Sequence, residues 1–437
     1  MSRTVRATQW TAAGFGVQFV GQVARVVLLA HVLSPADLGR FLVLRSVVGV
    51  AGLAAQGGLG PVGLRRIAGA AGDAAARHGV VASVLPLAAA GAVVAAVLTA
   101  GGVVAAGFAP VEAGAAGILV VAAALSPVLA DLARGLDLTR AAVAIERGLA
   151  TLLEVVVLAV VLFRLRGSGD PFASFREVLV VIAIVAVVPV LLLAWRVARA
   201  APPVANATPV ASGPAAPASV AEARESRVPA RTLVAESWPV TVNGLLWRGL
   251  GEVDLWLVGG LAGAPAAGVY GIAMRLAAAL QGPVAIGAYA LAPPIARHHA
   301  AGRRDALESL LRRAARWMTL GSVAGYAAVA AIGADGLARI FGADYGRAWP
   351  LFLVLGLGQV VNAICGLGGT TLLMIGRPRA LMGISLACSA ITIGGGWLLI
   401  PHLGPMGAAL ATAAGVVVQN ALMVGAVRRY AGVRVHA

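Results

Sequence analysis

The segment Leu29–Ser46 reads LAHVLSPADLGRFLVLRS, in which an apolar run is interrupted at Ser-Pro-Ala-Asp and resumes after a single glycine. About 230 residues later the segment Leu261–Leu276 reads LAGAPAAGVYGIAMRL and repeats this plan. In each copy a tight turn precedes a Gly-x-aromatic step, which ends at Phe41 and at Tyr270, and an arginine follows within the apolar segment. The recurrence predicts an internal repeat that covers about half of the chain.

The composition is that of a protein embedded in lipid. The chain has 437 residues, of which 60% are hydrophobic and only 12% charged, and its mean hydropathy is +0.90; a soluble domain carries roughly 25% charged residues. The apolar runs are about 20 residues or longer, which suffices for a helix to cross a ~30 Å hydrocarbon core. In lipid each backbone group must be satisfied within its own segment, so the runs predict helices. We therefore expect an all-α polytopic membrane protein with about 12 spans, at approximately 9–32, 38–60, 79–106, 113–133, 141–163, 177–195, 236–260, 267–293, 314–334, 348–375, 379–400 and 406–427.

The arginines predict the orientation in the membrane. The chain contains no lysine, and 23 loop arginines lie on the side of the N-terminus while six lie on the opposite side. Positively charged loops stay in the cytoplasm, so both termini are expected to be cytoplasmic. Arg3 and Arg6 precede an apolar stretch longer than a signal-peptide core, without a small-residue cleavage site. The N-terminal segment is therefore interpreted as the first span.

The segment Ala200–Thr232 is rich in Pro, Ala and Ser and has no apolar periodicity. Such a composition is typical of a flexible linker, here on the cytoplasmic side between spans 6 and 7. The predicted organisation is thus an N-terminal six-helix half at 1–199, the linker at 200–232 and a C-terminal six-helix half at 233–437. Because each half has an even number of spans, the halves are expected to be parallel repeats about a pseudo-two-fold axis along the membrane normal.

Several segments resemble, in order, those of one family of transporters. The opening stretch LLAHVLSPADLGRFLVL is followed by AAQGGLG, and its echo lies within DLWLVGGLAGAPAAGVYGIAMRL. Further matches are APPIARHHAAGRRDALESLLRRA, RIFGADYGRAWPLFLVLGLGQVVNA, LLMIGRPRAL and LIPHLGPMGAALATA. Together they make the chain similar to the multidrug/oligosaccharidyl-lipid/polysaccharide (MOP) exporter superfamily, and within it to the Wzx-like polysaccharide or O-antigen flippase branch.

The resemblance implies a MOP flippase fold and a transport function. It implies movement of a lipid-linked oligosaccharide, carried on a polyprenyl pyrophosphate, from the cytoplasmic to the outer leaflet by alternating access. The expected location is a bacterial inner membrane, in the biosynthesis of cell-surface polysaccharide. The implied partners are membrane lipids, the lipid-linked oligosaccharide, and glycosyltransferases or a polymerase of the same pathway.

Four arginines within the spans are the candidate substrate-binding residues. An ionisable residue inside a membrane is costly and usually faces a cavity or a partner. In the family that the sequence resembles, the first two helices of each half line the central cleft. A guanidinium is always charged and can bind a phosphate in a bidentate manner. The arginines expected to form this cationic cavity are Arg25, Arg45, Arg248 and Arg275.

Three acidic residues in the spans, Glu154, Glu252 and Asp254, are candidates for ion coupling or for structural pairing. The alternative to a substrate-binding cavity is that Glu252 and Asp254 neutralise two of the arginines, with Asp254 the better structural partner. Arg45 and Arg275 are expected to face each other without a counter-charge, because the parts of the spans around them contain no acid.

Other functional classes lack support in the sequence. There is no P-loop, no H-E-x-x-H motif and no Ser/His/Asp arrangement, so no enzyme, cofactor or metal is expected. Cys365 and Cys388 have no metal-ligand spacing, and the basic residues beside the spans do not indicate nucleic acid. The remaining alternatives are a drug/cation antiporter of the same fold, whose cavity should be acidic, and a non-transporting scaffold of cell-wall assembly. A membrane polymerase or ligase is disfavoured because the longest external loop, 164–176, is short.

Overall fold

The computed structural model describes residues 20–70, 73–168, 172–201 and 227–437. Regular structure in these residues is entirely helical, as predicted. Nine of the described helices are long and apolar enough to cross a membrane, and a bent helix pair brings the number to ten. The beginning of the predicted first span and most of the predicted linker lie outside the described residues. The orientation in the membrane and the boundaries at 199 and 233 stay predictions.

The chain forms two compact units that do not coincide with the two halves of the sequence. The first unit contains the chain up to Leu33 together with Leu44–Leu250, and the second contains Ser34–Val43 and Gly251–Ala437. The helices that lie wholly or mainly in the first unit are α1 (Val20–Val32), α2 (Pro35–Gln56), α3 (Leu59–Gly69), α4 (Ala74–Ala105), α5 (Pro110–Gly135), α6 (Thr139–Val143), a π-helical turn (Ala144–Leu149), α7 (Ala150–Ser168), α8 (Phe175–Ala200) and α9 (Ala230–Leu250).

The second unit contains the rest of the chain and the start of α2. Its helices are α10 (Val253–Leu261), α11 (Ala264–Ala279), α12 (Gly282–Ala300), α13 (Arg304–Phe341), a 3₁₀ turn (Ala343–Arg347), α14 (Ala348–Cys365), α15 (Gly368–Met374), α16 (Pro378–Leu403) and α17 (Pro405–Ala431).

Polar residues in the turns cap the N-termini of the helices that follow them. In the opening motif the Ser34 hydroxyl accepts a hydrogen bond from the Asp37 backbone N–H (3.2 Å) and donates to the Asp37 carboxylate (3.0 Å). Asp73 caps α4 and Ser174 caps α8 in the same way, through the backbone N–H three residues on. Each cap satisfies a backbone donor that the first helical turn leaves unpaired.

Three predicted spans are broken rather than continuous. Span 7 divides at Gly251–Glu252 into α9 and α10, and span 8 divides into α11 and α12, which are bent by 46°. Span 10 divides at Gly366, whose φ of 75° is in the left-handed region and ends α14. A left-handed residue cannot continue an α-helix, and apolar periodicity alone does not reveal such a break.

The basic segment 297–316 is helical for most of its length. It is the end of α12 and the beginning of α13, with only residues 301–303 between them. α13 then continues through predicted span 9 to Phe341 and is kinked at Gly333, where φ is 72°.

An ion cluster fixes the first turns of α9 within the first unit. The Glu236 carboxylate accepts hydrogen bonds from Arg65 (2.7 Å) and from Arg66, both on α3. A methyl group at Gly58 would lie 2.5 Å from the Ser237 carbonyl oxygen, so the backbones before α3 and within α9 approach closely. α9 therefore packs with the first unit, although it belongs to the second half of the sequence.

The last residues of the chain form an extended strap on the second unit. Gly432 ends α17 in the left-handed conformation, and Val433 and Val435 are then buried in a core with side chains of α12, α13 and α15. The Ala437 N–H donates to the Ile364 carbonyl (3.0 Å) at the end of α14. A methyl group at Gly366 would lie 2.4 Å from the Val435 carbonyl oxygen. The strap thus occupies the break of predicted span 10.

Candidate functional site

A buried ion triad lies in the first unit. Glu154 on α7 is 6% exposed and accepts from two arginines, one on each of its oxygens. Arg25 Nη1 of α1 donates to Oε2 at 2.6 Å, and Arg45 Nη2 of α2 donates to Oε1 at 3.0 Å. The Arg25 and Arg45 side chains are 18% and 30% exposed. The triad thus holds three helices together around two guanidinium groups and one carboxylate.

Arg248, near the end of α9, lies beside the same part of α2. A methyl group at Gly49 would be 2.9 Å from Arg248 Nη2. The absence of a side chain at Gly49 therefore gives the Arg248 guanidinium the space that it occupies. Gly49 is one helical turn after Arg45, and the charges of Arg25 and Arg248 both act repulsively on Arg45. Three of the four predicted arginines are therefore gathered in one region of one unit.

A second polar cluster is buried in the other unit. Asp254 at the start of α10 accepts hydrogen bonds from the Tyr270 hydroxyl of α11 (2.7 Å) and the Thr412 hydroxyl of α17 (3.2 Å). Its second oxygen accepts from the Leu255 backbone N–H (2.9 Å). Asp254 is 7% exposed and Tyr270 is fully buried. The carboxylate is solvated by hydroxyl and backbone donors, as a buried charge requires.

Two details of the predicted charge pairing are wrong. Arg45 was expected to lack a counter-charge, but Glu154 of predicted span 5 supplies one. Asp254 was considered as a partner of an arginine, but its hydrogen bonds go to Tyr270, Thr412 and its own helix. The physical reason is that charges pair through tertiary packing between helices, and sequence distance along a span does not determine that packing.

Arg275 and Glu252, the remaining residues of the predicted site, lie in the second unit. Arg275 is half-buried on α11, and Glu252 is the residue before α10. Both make interactions within the described chain. A cavity shared by Arg275 and the three arginines of the first unit stays a prediction.

Sequence reasoning missed Tyr270, Thr412 and Gly49 as parts of these clusters. Tyr270 was visible as the aromatic residue of the repeated Gly-x-aromatic step, but its hydroxyl was not assigned a partner. In the other copy Phe41 is equally buried and has no hydroxyl. The tyrosine in place of phenylalanine was therefore the signal in the sequence that the second copy, and not the first, takes part in a buried polar cluster. Among the residues that the structure describes, no group of three or more His, Cys, Asp or Glu could hold a metal ion.

Solved structures with the same arrangement of helices are transporters. The chain is similar to an inward-facing conformation of a multidrug resistance MATE family transporter of the MOP superfamily, with a TM-score of 0.74 and 15% identity over 95% of this chain and 94% of that one. An outward-facing conformation of such a transporter gives a TM-score of 0.59, at 15% identity over 98% and 95% of the two chains. The chain has the MATE fold.

The MATE fold confirms the predicted architecture of about 12 helices in two halves. The MatE family model matches residues 239–398, which lie in the second half of the sequence. No curated protein matches the chain in sequence. The family model covers less than half of the chain, and the solved structures that share its fold are MOP superfamily transporters. The narrower prediction of a Wzx-like flippase stays a prediction.

One further solved structure concerns the polarity of the binding pocket in this fold. It is a MOP superfamily transporter from Pyrococcus furiosus, described as having a binding pocket of reverse polarity that suggests a different function. Its TM-score to this chain is 0.60, with 14% identity over 98% of this chain and 95% of that one.

Proposed function

We propose that the chain is a transporter that moves an anionic lipid-linked oligosaccharide, carried on a polyprenyl pyrophosphate, from the cytoplasmic to the outer leaflet of a bacterial inner membrane by alternating access. The observation that carries the proposal is the triad of Arg25, Arg45 and Glu154. Two guanidinium groups share one carboxylate, so the triad has a net charge of +1. Charged residues are rare within membrane-spanning helices and usually serve a function there.

The geometry of the triad leaves donors for an anion. Each guanidinium uses one nitrogen on Glu154, and neither has another hydrogen bond to the described chain. Each group carries five N–H donors in a fixed plane, and such a fork matches the oxygens of a phosphate. A pyrophosphate could thus bind to the free edges of Arg25 and Arg45 without breaking their bonds to Glu154.

In this proposal Glu154 positions the arginines, and the Asp254 cluster serves a separate purpose. Glu154 fixes the guanidinium planes so that less conformational entropy is lost when an anion binds. Asp254, with three donors around it, stabilises the packing of α10, α11 and α17. The proposed partners are membrane lipids, the lipid-linked oligosaccharide, and the glycosyltransferases or polymerase that make and use it.

The competing candidate is a drug or cation antiporter, because similar solved structures are multidrug transporters. A cationic drug would be repelled by the excess positive charge of the triad, whereas an anionic head group would be attracted. The MOP transporter described as having reverse polarity supports the idea that pocket charge separates functions on this fold. We therefore favour the anionic substrate.

The test is a flipping assay in proteoliposomes. A fluorescent polyprenyl-pyrophosphate-linked sugar is incorporated, and its transfer between leaflets is followed by a membrane-impermeant quencher. Uptake of ethidium is measured in parallel. Wild-type protein is expected to flip the anionic lipid and not to transport ethidium. Ethidium transport without lipid flipping would favour the antiporter.

Substitution of Arg45 sharpens this test. Arg45→Gln removes the excess charge and is expected to lower the flipping rate by about tenfold or more, while Arg45→Lys retains part of it because it keeps the charge but not the planar fork. Arg40→Gln is the matched control, since Arg40 lies on the same helix but is more than half exposed and, within the described part of the chain, forms an ion pair only with Asp37. Equal flipping by all variants at equal abundance would contradict the role of the triad.

A further inference from the structure

Two arginine–aromatic clusters occur at corresponding ends of two helices. The α8 cluster consists of Trp195, Arg196 and Arg199, and the α17 cluster consists of Arg377, Arg429 and Tyr430. In the α8 cluster the guanidinium carbons lie 5.2 Å and 4.2 Å from the centroid of the Trp195 ring. In the α17 cluster they lie 4.8 Å and 6.0 Å from the centroid of the Tyr430 ring. Each ring thus lies close to two positive charges.

One arginine of each cluster is related to the other by the internal repeat. On α8 the face towards the protein carries Leu193, Val197 and Ala201, and on α17 it carries the same pattern 230 residues later, from Met423 to Ala431. Arg199 and Arg429 occupy equivalent positions in this alignment. Nearly the same distance separates the two copies of the opening turn, so the repeat extends from the first turn to the last helix of each half.

The aromatic rings of both clusters lie in the last turns of helices that are longer than the hydrocarbon core is thick. α8 has 26 residues and α17 has 27, which at 1.5 Å per residue gives about 39–40 Å and exceeds a ~30 Å hydrocarbon core. On α8 an exposed apolar stripe of Ile184, Val188 and Leu191 leads directly to Trp195, which is 45% exposed. An acyl chain could lie along this stripe while its phosphate reaches Arg196 and Arg199.

The arginines of these clusters differ from the arginines that form ion pairs in the protein. Arg25 and Arg45 pair with Glu154, and Arg65 and Arg66 pair with Glu236. Within the described ranges, none of the four cluster arginines forms an ion pair or a side-chain hydrogen bond. A guanidinium held on a ring face keeps the N–H groups at its edge available for an anion.

We propose that the α8 and α17 clusters are two binding sites for anionic phospholipids of the surrounding leaflet, each holding one lipid phosphate between two arginines beside an aromatic ring. The occupant is a lipid rather than a free phosphate because the cationic groups continue an exposed apolar stripe, which on α17 contains Val418 and Leu422. Arginines near an anionic membrane surface favour such lipids through charge, and the ring marks the interface depth. These lipids are bound as part of the protein's surroundings and are not its transported substrate.

The test counts the lipids that the purified full-length protein retains. Protein in detergent is titrated with phosphatidylglycerol or phosphatidylcholine, and bound lipids are counted by native mass spectrometry. Wild-type protein is expected to retain two phosphatidylglycerol molecules and no tightly bound phosphatidylcholine. Arg196→Ala/Arg199→Ala and Arg377→Ala/Arg429→Ala should each lose one, with affinity at the changed site weakened on the order of tenfold. The four substituted side chains are exposed, so we expect the variants to fold as the wild-type protein does.

The control variant is Arg303→Ala/Arg313→Ala, which removes two exposed arginines that belong to neither cluster. It should retain both lipids. Equal loss in this control would mean that net charge alone attracts the lipid, and displacement by inorganic phosphate would mean a general anion site; either result overturns the proposal. Equal retention of phosphatidylcholine would overturn it as well. The measurement needs no transport, so its outcome is independent of the proposed flippase activity.

Discussion

Gly39 and Gly268, the equivalent glycines of the repeated turn, lie directly against each other within one unit. A methyl group at Gly39 would be 2.9 Å from the Gly268 nitrogen, and one at Gly268 would be 3.2 Å from the Gly39 nitrogen. The nearest atoms are closer still, the Ala264 carbonyl oxygen at 1.7 Å and the Pro35 carbonyl oxygen at 2.3 Å. The repeated glycine therefore lets the first turns of α2 and α11 cross backbone to backbone.

Gly39→Ala and Gly268→Ala should each destabilise the protein by about 3 kcal/mol, because a rigid backbone cannot move away from the added methyl group. The apparent melting temperature of the purified protein, followed by size-exclusion chromatography after heating, measures the effect. Gly260→Ala is the matched control, since this glycine has no atom within 4 Å of an added methyl group. A melting temperature for Gly39→Ala equal to that of Gly260→Ala would contradict the close crossing.

Glu154→Gln should destabilise the first unit by about 3 kcal/mol, because it leaves the guanidinium groups of Arg25 and Arg45 buried without a counter-charge. Adding Arg45→Gln to this variant should recover part of the loss, since one buried charge is then removed. The melting temperatures of the two single variants and the double variant form a double-mutant cycle. Additive effects would mean that Glu154 and Arg45 do not interact.

Tyr270→Phe should cost about 1.5 kcal/mol, because the buried Asp254 carboxylate loses its shortest hydrogen bond while the volume of the ring is kept. Tyr326→Phe provides the comparison, as its hydroxyl makes a 3.3 Å bond to the Leu353 carbonyl, which carries no formal charge. We expect the melting temperature to fall further for Tyr270→Phe. The reverse order would show that Asp254 does not depend on Tyr270.

Val435→Asp should destabilise the second unit by more than about 3 kcal/mol, because it places a charge in the core where the strap is buried. Arg434→Ser changes the adjacent exposed side chain and should have little effect, since Arg434 contacts Glu308 through its backbone N–H. Limited proteolysis of the two variants compares the protection of α13 and α14. Equal protection would mean that the strap does not stabilise this unit.

The helices could be predicted from sequence because each apolar run decides its own secondary structure in lipid. The positions of the spans agree with α4, α5, α8, α16 and α17 to within several residues. The break at Gly366 could not be predicted in this way, because the residues around it are as apolar as those of an unbroken helix. Around Gly251 the charged residues Arg248, Glu252 and Asp254 were a signal of the break that the apolar run alone did not use. At Gly366 the strap lies against the break, and this tertiary contact is not encoded in the apolar pattern of one span.

The candidate site was predicted as a set of residue types and not as a set of contacts. Arg25, Arg45 and Arg248 were found because charged residues are rare in spans. The assignment of Glu154 as the partner of Arg25 and Arg45 needed the packing of α7 against α1 and α2, for which the sequence carries no local signal. The Tyr270–Asp254 bond likewise joins two helices, and only the unusual tyrosine in the repeat pointed to it.

The crossing of Gly39 and Gly268 also constrains the order of events on the ribosome. About 230 residues separate the two glycines. At a synthesis rate of ~5–20 residues per second, α11 is therefore made roughly 10–50 seconds after the start of α2, against which it packs. The hydrogen bonds between Ser34 and Asp37 are complete without any other part of the protein. The turn can therefore adopt its conformation during synthesis, before α11 is inserted and packs against it.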